Sequence, residues 1–238
     1  MSDKKYVLIT GATSGIGLET ARFLSENGYG VVLAGRNEET LKDISKEIDD
    51  SLYYVIDFEK TENISGIFDF IKAKGIILDG MVHSAGVGMN VPLRICKIED
   101  MERLMRIHYY AFVELCKCFY KKSISKEGAS IIAISSLATK TVLKGSVLYS
   151  SSKNALNTAI SVASKEFIKR QIRVNGIMPA YVDTRMNNGL DEIIDINERQ
   201  PWGLIPPRYI AELIEYLLSD KSKYITGALI PVSAGMEF

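Results

Sequence analysis

Tyr6-Val7-Leu8-Ile9-Thr10-Gly11-Ala12-Thr13-Ser14-Gly15-Ile16-Gly17-Leu18 is the stretch that decides the fold. A short apolar run reads as a buried strand. Three glycines then break it into a tight turn before a helical pattern opens at Leu18. Such glycines let backbone N–H groups approach a pyrophosphate, and the helix N-terminus behind them favours its negative charge. The spacing is G-x-x-x-G-x-G. Its place between a first strand and a first helix gives it more weight than the glycines alone.

Working outward, apolar runs recur at Val31 to Ala34, Tyr53 to Ile56, Gly80 to His83, Ser130 to Ser135, Ile172 to Ile177 and Ala228 to Val232. Between them lie amphipathic stretches at Leu18 to Asn27, Glu39 to Ile48, Ile64 to Lys72, Ile98 to Lys122, Leu148 to Lys169 and Arg208 to Leu218. Continuous apolar strands separated by helices are what a parallel sheet covered on both faces requires. The alternation predicts an α/β fold of Rossmann type, a doubly wound parallel sheet in three layers, over a single domain spanning 1–238. Asp183 to Pro207 breaks the rhythm and is read either as a substrate loop or as a surface connection carrying one helix.

Lys+Arg and Asp+Glu both number 29, so formal net charge is zero. With no basic run, neither nucleic acid nor an anionic membrane surface is an expected partner. No apolar run is long enough to span a bilayer, and Tyr6 to Ile9 is too short for a signal-peptide core, so a cytoplasmic location is expected. Cys96, Cys116 and Cys118 form no C-x-x-C pair and read as reduced thiols, with no metal site expected.

After the second strand, a dinucleotide fold usually presents either an acid for the ribose hydroxyls of NAD or a nearby Arg for the 2′-phosphate of NADP. This chain reads Ala34-Gly35-Arg36-Asn37, with no carboxylate at the strand end; Glu38 and Glu39 suit the start of the next helix. That favours NADP(H) over NAD(H), the alternative for Arg36 being a solvated surface charge. Further on, Tyr149 and Lys153 stand four apart at the head of a helical stretch and so share a face. An ammonium beside a phenol favours phenolate and brings a poor base toward neutral pH. Ser135 and Ser136 end the fifth strand, where a hydroxyl could reach the same place.

Taken together these features resemble the short-chain dehydrogenase/reductase family in its single-domain form. The resemblance spans nearly the whole chain. It runs through Thr10 to Gly17, Asp57, His83-Ser84-Ala85-Gly86, Ser136, Tyr149-x-x-x-Lys153, Arg173 to Gly176, Pro179 to Thr184 and Tyr224 to Gly227. It implies hydride transfer between a nicotinamide and a carbonyl or secondary alcohol, with Tyr149 exchanging the proton, Lys153 lowering its pKa and holding the ribose, and Ser136 orienting the substrate oxygen. The family spacing of thirteen positions before Tyr149 selects Ser136 over Ser135. Gly11, Thr13, Ser14, Gly15, Ile16 and Gly17 would line the pyrophosphate turn, and Asp57 would meet the adenine. Ala85 and Gly86 would pass beneath the cofactor, and Pro179, Val182 and Thr184 would flank the carboxamide.

Four departures matter. The family's Asn-Asn before Ala-Gly is His83-Ser84, its relay Asn is His108, its Pro-Gly is Pro179-Ala180 and its terminal Asp-Gly-Gly is Ser233-Ala234-Gly235. His108 either holds a water as a titrating imidazole or is a satisfied buried histidine. The Gln200 to Ala211 stretch resembles 3-oxoacyl-acyl-carrier-protein reductases. The expected substrate is therefore a small carbonyl or alcohol, extending to a carrier-bound acyl chain. Two other readings stand beside the reductase: a non-catalytic NADP(H)-binding sensor or scaffold, and an epimerase that retains its cofactor. The long apolar stretches Ile98 to Lys122 and Leu148 to Lys169 imply, by the same resemblance, a homodimer or homotetramer.

Overall fold

The computed structural model describes residues 4–187 and 195–238. Seven parallel strands form one sheet in the order β3-β2-β1-β4-β5-β6-β7, from β1 (Tyr6–Thr10), β2 (Gly30–Gly35), β3 (Ser51–Val55), β4 (Leu78–His83), β5 (Ser125–Ile134), β6 (Arg173–Pro179) and β7 (Leu229–Val232). Alternate side chains of each strand enter opposite cores. Leu8, Val32, Met81 and Ile131 pack on one face, with Ile67 and Phe68 of α3 (Ile64–Ala73), Phe112, Leu115 and Phe119 of α5 (Ala111–Phe119) and Leu156 and Ile160 of α6 (Val147–Glu166). Val7, Ile9, Leu33 and Val82 pack on the other, against α1 (Gly15–Glu26), α2 (Glu38–Glu47) and α8 (Pro207–Leu218). Burial on both faces explains why these strands read as unbroken apolar runs.

The chain runs outward in one direction from β1 to β3 and in the other from β4 to β7, so the strand order reverses between β1 and β4. Their last residues, Thr10 and His83, pair in register. In open parallel sheets the binding crevice lies beyond the carboxyl ends at that reversal.

Two elements differ from the sequence reading. The stretch Ile98 to Lys122 is not one continuous α-helix: α4 (Ile98–Met105) passes into a π-helical turn, Arg106–Tyr110, before α5 begins. The strand read from Ser130 begins earlier, at Ser125, with an irregularity opposite Leu78 and Gly80. Ser125 is buried because its hydroxyl donates to Phe119 C=O at 2.6 Å and accepts from Arg170 Nη1 at 3.1 Å. Periodicity carries no trace of such partners.

Part of the Asp183 to Pro207 segment, 188–194, lies outside the described residues. Of the rest, α7 (Ile196–Arg199) is capped by Asp195, whose carboxylate accepts Glu198 N–H at 3.1 Å. Gln200 is fully buried. Its side chain accepts Tyr181 N–H at 2.8 Å and donates to Tyr181 C=O at 2.9 Å, stapling the end of the segment beneath the β6 exit.

Candidate active site

The turn after β1 is built against the exit of β4. Gly11 has φ +67°, and a Cβ there would come within 2.8 Å of Ala85 N; one at Gly17 would come within 2.3 Å of Gly11 O. Only a backbone without side chains makes both approaches. Ser14 makes no capping bond and the first turn of α1 holds no acid, so its N–H groups and positive end face the crevice unopposed. Thr184 closes over this turn, its methyl 3.1 Å from where a Gly15 Cβ would stand. Thr13 lies beside the end of β2, its Cγ2 3.0 Å from a Cβ at Gly35. These features fit a dinucleotide pyrophosphate: exposed amides, room for close approach and no competing negative charge.

Thr10 ties the two strand ends together. Its oxygen accepts N–H from Ser84 at 3.2 Å and Ala85 at 3.1 Å, which holds the backbone expected beneath the cofactor. Both lone pairs being taken, its proton goes to His83 Nδ1 at 3.0 Å. The His83 proton therefore sits on Nε2, which is buried and finds no hydrogen-bond partner among the described residues. The ring is wedged between Phe58 and Phe112. Burial first, and then the Lys153 charge, push its pKa down to about 3, so it is neutral at physiological pH.

Ser136, Tyr149 and Lys153 come together where β5 runs out and α6 begins. Ser136 follows β5, its Oγ accepts Ala138 N–H at 3.1 Å, and its hydroxyl stands close enough to the Tyr149 phenol to lower its pKa. Ser135 is turned inward instead, donating to Asn157 Oδ1 at 2.6 Å, so the two adjacent serines are separated by partner as well as by spacing. Tyr149 sits in the first turn of α6 and is half-buried. Lys153, one turn on, is buried, donates to Ile134 C=O at 2.8 Å and lies 5.8 Å from the Tyr149 ring centroid. Burial raises the Tyr149 pKa against the opposing Ser136 bond, while desolvation brings Lys153 itself down to about 7.

His108 resolves toward the buried, satisfied alternative. It lies in the π-helical turn with no exposed surface. Its Nε2 accepts Val87 N–H at 3.1 Å, which places the ring proton on Nδ1, 2.8 Å from Ser152 Oγ. Ser152 in turn donates to Tyr149 C=O at 2.8 Å, and the His108 ring meets the Tyr149 ring edge-on at 5.6 Å. Burial holds its pKa well below the usual histidine range. Both nitrogens are occupied by the chain itself. Ser152 was not singled out by the sequence; a serine inside Ser150-Ser151-Ser152 gives no sign of which hydroxyl points inward.

At the far end of the crevice Arg36 follows β2 and Asp57 follows β3. Together with Lys60, Glu62, Asn63 and Ser65 they line a cleft of about 590 Å³. Asp57 Oδ1 accepts Glu59 N–H at 3.1 Å. Arg36 is an exposed side chain whose Nη1 lies 3.7 Å from Glu59 Oε1. Pro179 and Val182 are buried at the β6 exit. Among the described residues, no helix is long and apolar enough to cross a membrane.

Residues 11–237 match the family model described as "Enoyl-(Acyl carrier protein) reductase". The chain is 31% identical to carbonyl reductase family member 4 of Xenopus laevis over 234 residues, covering 98% of each. It is likewise 31% identical to the 3-oxoacyl-[acyl-carrier-protein] reductase FabG of Rickettsia felis over 237 residues, 98% of this chain and 96% of that one. Among solved structures, the L-sorbose reductase of Gluconobacter frateurii, complexed with NADPH and L-sorbose, superposes with a TM-score of 0.90 at 23% identity, over 98% of this chain and 97% of the other.

Proposed function

The chain belongs to the short-chain dehydrogenase/reductase family, whose members move a hydride between a nicotinamide cofactor and a carbonyl or alcohol carbon, and from that premise we propose an NADPH-dependent carbonyl reductase in which Tyr149 is the acid. One observation carries the assignment: Ser136, Tyr149 and Lys153 come together between the exit of β5 and the first turns of α6. Bound nicotinamide supplies the hydride, and the chain's own residues orient the carbonyl and deliver the proton.

Ser136 holds the substrate oxygen toward the Tyr149 hydroxyl. Burial keeps the phenol protonated at neutral pH, which is the form reduction needs. Lys153, buried with one bond already to Ile134 C=O, has donors left for ribose hydroxyls and for re-protonating Tyr149. His108 is a positioning residue: through Val87 and Ser152 it fixes the loop after Gly86 and the first turn of α6. Gly11, Gly15, Ile16 and Gly17 cradle the pyrophosphate, with Asp57 at the adenine and Thr184 at the carboxamide. Arg36 takes the 2′-phosphate, since no carboxylate ends β2 to receive ribose hydroxyls. An intact Ser136, Tyr149 and Lys153 weighs against a non-catalytic sensor. The names of the relatives make a 3-oxoacyl thioester the first substrate to try.

The test is fluorescence titration with NADPH and NADH, followed by NADPH oxidation over acetoacetyl thioesters, diketones, sugar ketones and cyclic ketones. Tighter NADPH binding with consumption on one carbonyl class is expected. Tight binding without consumption on any class would overturn the reductase assignment in favour of the sensor or epimerase.

A further inference from the structure

The phosphate end of the crevice holds a three-membered charge cluster whose members come from separate elements. Arg36 follows β2, Glu59 follows β3, and Arg103 lies on α4. Glu59 Oε1 accepts Arg103 Nε–H at 2.9 Å and lies 3.7 Å from Arg36 Nη1, so one carboxylate oxygen gathers both guanidinium groups. The arrangement is unusual in what it lacks as well. The turn from Thr10 to Gly17 contains no basic residue, so a 2′-phosphate held by Arg36 would have no second cation from the turn beneath it.

Two guanidiniums converging on one anion form a geometry that a phosphate dianion satisfies better than a carboxylate. It carries more charge and three terminal oxygens for the same donors. Glu59 occupies the position between the two arginines that such an anion would take. We propose that Arg103 is a second ligand of the 2′-phosphate of NADP(H), and that Glu59 is the resident anion which the phosphate displaces from between Arg36 and Arg103. The inference rests on the NADP(H) preference proposed above and assigns residues to it that the β2 end alone does not reveal.

Glu59 has two opposed effects. It holds the arginines together, which aids binding, and its charge repels the incoming phosphate, which hinders it. All three side chains are partly exposed, with 57%, 30% and 40% of the Arg36, Glu59 and Arg103 side chains accessible, so the attraction that gathers them is well screened. Direct displacement of one anion by another is the larger effect. Glu59 therefore weakens NADPH binding while leaving NADH binding alone.

Fluorescence titration with NADPH and NADH, and competition by 2′,5′-ADP, on Arg103→Gln, Glu59→Gln and Arg36→Gln separates these contributions without turnover. Arg103→Gln should weaken NADPH and 2′,5′-ADP by about tenfold, the loss of one charged hydrogen bond, with NADH within about twofold. Glu59→Gln should tighten NADPH several-fold and leave NADH unchanged. Equal effects of Arg103→Gln on both dinucleotides, no effect on either, or weaker NADPH binding in Glu59→Gln would overturn the proposal. If Arg36→Gln loses NADPH affinity while Arg103→Gln does not, the second ligand is wrong and the NADP(H) reading survives. If Arg36→Gln changes nothing, both fall together.

Discussion

Replacing His83 by Asn should remove a specific part of the protein's acid sensitivity. In the folded state the imidazole is neutral, with Nδ1 committed to Thr10 and its pKa pushed down to about 3, against an ordinary value near 6.5. The unfolded chain therefore binds a proton here that the folded chain refuses whenever pH lies between those values. Stability is then fully present above pH 6.5 and is lost progressively as pH falls toward 3. Between pH 7.5 and 4.5 the loss from this one residue is about 3 kcal/mol. His83→Asn keeps an acceptor for Thr10 but fills less of the space between Phe58 and Phe112, so at pH 7.5 it should be less stable by roughly 1–3 kcal/mol. Urea unfolding of both proteins at the two pH values measures the difference. The gap between them should narrow by about 3 kcal/mol on acidification, the variant even overtaking the wild type if its neutral-pH deficit is small. The carboxylates are common to both proteins and cancel, and His108 is held down first by its own burial and only in lesser part by His83. Parallel stability curves would refute the reasoning, because they would mean that His83 gains its proton as easily folded as unfolded.

Tyr149→Phe should cut turnover by roughly 10²- to 10⁴-fold while NADPH affinity, read by titration, stays within about twofold. Gly17→Ala should abolish cofactor binding, because its Cβ meets the Gly11 carbonyl oxygen at 2.3 Å and backbone cannot step aside cheaply; retained NADPH fluorescence enhancement would show the turn to be looser than described. Ser152→Ala leaves the His108 Nδ1–H without its acceptor, so kcat should fall several-fold with no new ionisation in its pH profile. A limb appearing in that profile between pH 5 and 8 would make His108 a titrating participant rather than a support. Exposed apolar side chains on the helices beyond the crevice, Tyr110, Val162 and Ile168, lead us to expect a dimer or tetramer by light scattering; a monomeric mass would contradict that expectation.

The sheet was readable because its strands are buried on both faces. Val31 to Ala34 is an unbroken apolar run, and helical stretches between such runs imply parallel pairing; the order of the strands came only with the structure. The candidate site was readable where its chemistry is local: the glycine turn, Tyr149 and Lys153 one helical turn apart, and Arg36 at a strand end. What escaped the sequence depends on partners distant along the chain. Ser152 acquires its place from His108, 44 positions away, and Arg103 from Glu59, also 44 away. The environment of Tyr149 escaped for a different reason. Spacing places an ammonium on the same face, but only packing decides whether that ammonium is still a full charge.

The widened turn at Arg106–Tyr110, marked by the Ala111 N–H reaching back to Arg106 C=O, has a consequence for which insertions and deletions this region can absorb. One residue on an α-helix subtends about 100° of rotation. Shortening the turn by a single residue would restore ordinary backbone pairing locally, an apparent improvement. Everything after it would then revolve by that angle about the helix axis. Phe112, Leu115 and Phe119, which now have no accessible surface, would swing out of the core toward water, and the ring at position 108 would leave Ser152 behind. The surplus residue is thus phased to both ends of its helix, and length change here is the kind of variation that drift in this chain should be unable to sample.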